Sequence, residues 1–107
     1  MQQPWAGLIA HGRKDVENRS WVPDLAIGER FAIHAGRLDD ASTPACDLDL
    51  CQYHGVILCT VVLLEVSRDA ESNWALPGYW HWRLGGVRLV RPLLQRRGHP
   101  RLWELDA

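Results

Sequence analysis

Lys14, Glu17, Asn18 and Arg19 stand within six consecutive positions. Lysine and arginine hold phosphate, and an asparagine amide reads a base edge through paired hydrogen bonds. Lys14 follows Gly12-Arg13, which reads as a turn, so an exposed ammonium at the mouth of a cleft is expected. The same four residues also describe a solvated edge strand with a Glu17–Arg19 ion pair, which contributes little to stability. A carboxylate beside a lysine suits hydrolysis as well. Lys14, Glu17 and the more distant Glu65 form a candidate catalytic set, in which a carboxylate activates water and the ammonium steadies an oxyanion. Glu65 ends an apolar run, where an unpaired carboxylate is expensive to bury. It either surfaces there or acts as a base.

Further candidates lie along the chain. His34 sits in an apolar strand pattern and reads equally as a cleft base or as a satisfied structural histidine. Trp80 and Trp82 offer aromatic faces, and stacking on a base contributes about 1–3 kcal/mol. Trp5, on an apolar helix face, is expected in the core. Arg96 and Arg97, with Arg101 and either Arg88 or Arg91, make a basic C-terminal patch suited to the backbone of a single strand. Cys46, Cys51 and His54 lack the paired spacing of a structural zinc site, so neither a metal nor a cofactor is expected and the three thiols should be reduced. There is no phosphate-cradling glycine loop, no nucleophile elbow and no HExxH.

These groups must be positioned by one small domain. A chain of 107 residues is a single unit, 1–107, able to bury roughly two thirds of its unfolded surface. A net charge of −1 exerts no bulk pull on a nucleic acid, so such binding needs a local patch. No secretory signal precedes the cysteines, so a reduced, cytoplasmic setting is expected. No apolar run approaches about 18 residues, so no membrane helix is expected. The oligomeric state is not legible.

Trp5, Leu8 and Ile9 share one face of a short helix, with Pro4 at its first turn and Gly12 past its end. A strand follows, placing Glu17, Arg19 and Trp21 on one side and Val16, Asn18 and Ser20 on the other. Arg30 to Ala35 alternates, with Phe31, Ile33 and Ala35 inward. A short helical piece is drawn around Asp47 to Tyr53 in the poorly legible segment 37–54. Val56 to Val66 is a near-continuous apolar, β-branched run and reads as a central strand. Trp80, Trp82 and Leu84 share a strand face. Gly85-Gly86 reads as a two-residue hairpin turn, Val87 to Val90 as the returning strand ended by Arg91-Pro92, and Leu102 to Leu105 as a last strand. One helix and a run of short strands suit an α+β, mainly β fold: a small β-barrel with the helix covering one end.

Gln3-Pro4-Trp5-Ala6, then Gly12-x-Lys14, then Glu17-Asn18-Arg19-Ser20-Trp21 resembles the opening of the ASCH domain, a PUA-like family. Ile33-His34-Ala35, Gly55 before an apolar strand, Trp80-x-Trp82-x-Leu84, Arg97-Gly98 and Leu102-Trp103 follow at similar intervals. The resemblance is to a small, single-domain member of bacterial or phage type. It implies a PUA-like β-barrel and a cleft holding RNA or a modified nucleobase. It favours Lys14 and Asn18 as site residues over generic surface.

Three functions follow. The first is a binding module for single-stranded RNA, a nucleotide or a modified nucleobase, with Lys14, Asn18, Arg19, His34, Trp80, Trp82, Arg96 and Arg97 as ligand residues. The second is an amidohydrolase of acylated cytidine-like nucleosides, implied by related hydrolases that use a lysine, a nearby threonine and a glutamate. Aligned on Lys14, this chain has Glu17 at the threonine position. The third is a protein-interaction domain with a vestigial pocket.

Overall fold

The computed structural model describes residues 1–37, 39–42, 46–95 and 104–105. Thr43-Pro44, Arg96, Arg97, Arg101, Leu102 and Trp103 lie outside the described residues. Helix α1 (Trp5–Ala10) begins after Pro4, and the His11 and Gly12 amides close it onto the carbonyls of Gly7 and Ile9. Gly12 has φ +75°, the left-handed geometry that favours glycine past a helix end. The buried face is not Trp5, Leu8 and Ile9 but Ala6, Gly7, Ile9 and Ala10. The reason is close packing on a 3-10 helix, Asp49–Gln52. A Cβ on Gly7 would lie 2.6 Å from the Cys51 amide nitrogen and Sγ, so only small side chains fit along that line.

One sheet holds the strands β1 (Val16–Arg19), β2 (Arg30–Ala35), β3 (Val56–Ser67), β4 (Trp80–Gln95) and β5 (Glu104–Leu105). Its order is β1-β4-β3-β2-β5. β1, β4, β3 and β2 pair antiparallel in turn, and β5 runs parallel to β2. The antiparallel strands curl into a half-barrel, and α1 packs on β2, β3 and β4. The fold is α+β and mainly β, as expected. β3 is the central strand, with Val56 to Cys59, Val61 and Leu63 buried.

Three local expectations fail. Gly85-Gly86 is not a turn, because β4 runs through it unbroken. The ladder moves from Val62–Gly85 to Thr60–Arg88, so β4 carries an extra residue there, and Gly86 has φ +58°. A Cβ on Gly85 would meet Leu64 Cδ1 at 2.6 Å. The glycine pair serves a bulge and a close approach. Arg91-Pro92 does not end the strand either. Pairing skips from Cys59–Leu89 to Ile57–Leu94, and Pro92 falls in the skipped stretch, where its missing N–H breaks no ladder bond. In β2, Phe31 to Ala35 are all buried. A register shift between Ile33 and His34 breaks the alternation.

Cys46, Cys51 and Cys59 are free, with the Sγ atoms of Cys46 and Cys51 2.8 Å apart. His54 Nε2 lies 2.8 Å from Asp39 Oδ1. Among the described residues, no three His, Cys, Asp or Glu side chains gather as a metal site would need, and no helix is long and apolar enough to cross a membrane.

Cys59 is fully buried, and burial pushes its thiol from 9.0 up to about 12. A folded-state pKa raised in this way favours folding below pH 9.0, and the benefit is lost as pH climbs toward 12. The slope is about 1.4 kcal/mol per pH unit. Urea unfolding between pH 9 and 11 should therefore show falling stability, with a shallower fall in Cys59→Ala. Equal slopes would refute the assignment. Lys14 titrates in the opposite sense but is common to both proteins, so it drops out of the difference.

Candidate functional site

The chain leaves α1 through a tight turn and enters β1 with Lys14 just before it. The Arg13 and Lys14 amides both donate to the Leu8 carbonyl (3.0 and 3.1 Å), which fixes the turn. β1 then pairs with β4, through Val16–Arg83 to Arg19–Trp80. Between α1, β1 and the loop 73–79 lies a cavity of about 420 Å³, within the small-ligand range of roughly 300–1,000 Å³. Trp5, Trp74, Leu76 and Tyr79 wall it, and Lys14, Glu17, Asn18, Asp40 and Asn73 supply its polar groups.

Lys14 is not exposed as expected. It keeps only 6 % of its surface, and its Nζ donates to the Val16 carbonyl. Its ammonium stands 5.8 Å from the Trp5 ring centroid and 5.9 Å from that of Trp74, a cation–π placement. Burial pushes its pKa below the ordinary lysine range, while the Glu17 carboxylate pulls it back up. Glu17 is 8 % exposed. Its Oε2 is buried without a hydrogen-bond partner, and its Oε1 lies 3.9 Å from Arg19 Nε.

Asn18 lines the cavity with its side-chain amide already engaged. Its Nδ2 donates to the Trp74 carbonyl at 2.9 Å, and its Oδ1 accepts from the Leu76 amide at 2.9 Å. The paired hydrogen bonds foreseen for a base edge instead hold the loop that carries the aromatic wall. Trp74 Nε1 donates to the Arg13 carbonyl at 2.8 Å, and Trp5 Nε1 to Asp40 Oδ2 at 3.0 Å. The two indoles meet edge to face at 6.3 Å. The Ser42 hydroxyl and amide, and then the Trp5 indole, hold Asp40 below the usual carboxylate range.

The other candidates separate. Trp82 is wholly buried and donates Nε1 to the Trp21 carbonyl at 3.1 Å. It is a core residue, while Trp5, expected in the core, lines the cavity. Trp80 lines a different groove with Val22, Leu25 and Leu64, under the Arg68 guanidinium at 5.1 Å. His34 is buried in β2 and is not among the residues lining the cavity. Glu65 surfaces on another face, 3.9 Å from Arg83 Nε. Thr60 accepts from Arg30 Nη1 at 3.0 Å and is likewise not a cavity residue. Trp74, Tyr79 and Asp40 were not foreseen. For Trp74 a signal existed: it is a tryptophan beside Asn73 and Pro77-Gly78, outside any apolar stripe.

The ASCH domain sequence model matches residues 1–84, most of the chain. The chain belongs to the ASCH domain family. No curated protein matches it. Every cavity residue of this ASCH domain, from Trp5 to Tyr79, falls inside the matched stretch, whereas Arg96 and Arg97 fall beyond it. The opening motif has two tasks: Trp5, Lys14, Glu17 and Asn18 line the cavity, and Gln3 and Asn18 bind backbone that shapes it.

Proposed function

We propose that this ASCH domain binds nucleic acid or a nucleotide by holding one nucleobase, from single-stranded RNA or a modified nucleoside, in the cavity beside α1. The observation that carries the reading is the juxtaposition of aromatic walls with the buried Lys14 and Glu17 in a space of about 420 Å³. A planar ring with polar edges satisfies both: its faces meet Trp5, Trp74 or Tyr79, and its edge meets the ammonium and carboxylate. Phosphate is a poor fit to this floor, since Glu17 opposes a second negative charge there.

The amidohydrolase reading draws on one observation, the placing of Lys14 and Glu17 in the same cavity, as a water-activating mechanism would need. Glu65 and Thr60 are not part of that arrangement. Release of acetate from an acetylated cytidine by purified protein would establish it.

Because Lys14 is buried, Lys14→Met is the informative change: it keeps the apolar stem and removes the charge. Affinity for nucleosides and short single-stranded RNA should weaken by about 1–3 kcal/mol, the scale of a charged hydrogen bond. The loss should be the same at low and high salt, since a buried charge is little screened. Calorimetric titration at two salt concentrations measures both. Unchanged affinity with a native circular dichroism spectrum would remove the cavity from consideration and favour the interaction-domain reading.

A further inference from the structure

Glu17 presents an unmet demand. Its side chain is largely buried, with 11 % exposed, and it lines the cavity. Its Oε2 has no hydrogen-bond partner. Its Oε1 meets Arg19 Nε at 3.9 Å, too far for a hydrogen bond. An ionised carboxylate only accepts, and a buried acceptor left unmet is costly. Oε2 has almost no accessible surface, so a ligand serves both oxygens once the Glu17 side chain turns into the cavity, and the occupant suited to that brings two donors side by side. Lys14 makes the opposite demand. One of its three N–H groups goes to the Val16 carbonyl, which leaves two for an acceptor on the ligand.

Resting on the nucleobase reading above, we infer that the cavity selects guanine, with Glu17 accepting from N1–H and the N2 amino group and Lys14 donating to O6. Guanine alone among the four common bases presents two adjacent donors and a carbonyl on one edge. Adenine and cytosine each place one amino group beside a bare ring nitrogen, whose lone pair would face the second carboxylate oxygen. Uracil has one N–H between two carbonyls and meets the same repulsion. A site built to bond particular polar groups rejects analogues that leave those groups unpaired. The aromatic walls tolerate any base, so discrimination rests on Glu17.

The test is an NMR titration of the full ¹⁵N-labelled chain with the 5′-monophosphates of guanosine, adenosine, cytidine and uridine, each separately. The guanosine nucleotide should bind about ten- to a hundredfold more tightly than the other three, with the largest shifts at Lys14, Glu17 and the Trp5 and Trp74 indoles. The isosteric Glu17→Gln, which exchanges one acceptor for a donor, should lose most of that preference while its unliganded spectrum stays native. Equal binding of all four, or tighter binding of another base, would overturn the guanine assignment and leave the nucleobase reading standing. A preference retained in Glu17→Gln would overturn the role given to Glu17. Binding of none of the four would overturn both readings. The wild-type comparison needs no variant, so it holds even if Glu17→Gln folds poorly.

Discussion

Trp82→Ala should destabilise the protein by about 3–5 kcal/mol, the range for truncating a buried large aromatic. Trp82 has no exposed surface and belongs to the core with Ile33, Leu58 and Leu84. Its ring also meets Trp21 edge to face at 4.8 Å, and its Nε1–H satisfies the Trp21 carbonyl. The substitution removes the packing, the aromatic contact and a hydrogen bond together. For a domain of this size the melting temperature should fall by roughly 12 °C or more, since each kcal/mol corresponds to about 4–8 °C. Calorimetry measures the fall. At a temperature where the variant stays folded, nucleotide affinity should remain close to wild type. The reverse result, normal melting with lost affinity, would return Trp82 to the ligand site and contradict the packing described here.

Gln3 should prove nearly as sensitive, although it touches no ligand. It is 1 % exposed. Its Nε2 donates to the carbonyls of Leu50 and Tyr53, both at 2.8 Å, and its Oε1 accepts from the Gly7 amide at 2.8 Å. One amide thus ties α1 to the 3-10 helix and the segment after it. Gln3→Ala orphans three backbone groups. At about 1–3 kcal/mol per unmet buried group, with incomplete additivity, a loss of about 3–5 kcal/mol is expected. Gln3→Glu separates hydrogen bonding from shape. It fits the same space but turns an oxygen toward two carbonyls, so at neutral pH it should be no better than alanine. Protonation restores a donor. The folded-state pKa of the new carboxyl is then raised, and its variant should regain stability relative to wild type as pH falls through the carboxylate range. Urea denaturation of both variants at pH 7 and pH 5 decides the matter. A Gln3→Glu protein as stable as wild type at pH 7 would refute the bonding scheme.

The residues that proved legible were those whose physics is local. Pro4 and Gly12 bracket α1 because proline and glycine act through their own backbone angles. The β-branched run at 56–66 became the central strand, with its first half buried on both faces. Gly85-Gly86 misled because a glycine pair between apolar runs signals a hairpin and a bulge equally well. Only the Leu64 side chain, distant in sequence, chooses between them. The same limit explains the tryptophans. Alternation puts Trp80, Trp82 and Leu84 on one face, but not which face is wet. Lys14 looked exposed because lysine usually is. Its burial depends on Trp74, sixty residues downstream, which no short-range pattern connects to it.

The bond from Lys14 to the Val16 carbonyl also finishes one side of the sheet. Among the described residues, β1 is the last strand on its side of the sheet. The Leu84 amide bonds to the Asp15 carbonyl, and that register turns the Val16 carbonyl outward, away from β4. Val16 has no exposed surface, so water does not meet that carbonyl, and a buried acceptor left unmet is costly. Here an ammonium already occupies it, and the loop carried by Asn18 lies alongside. The charge that equips the cavity therefore also satisfies a carbonyl that β4 leaves unpaired, and an apolar residue at position 14 would leave that acceptor without its partner.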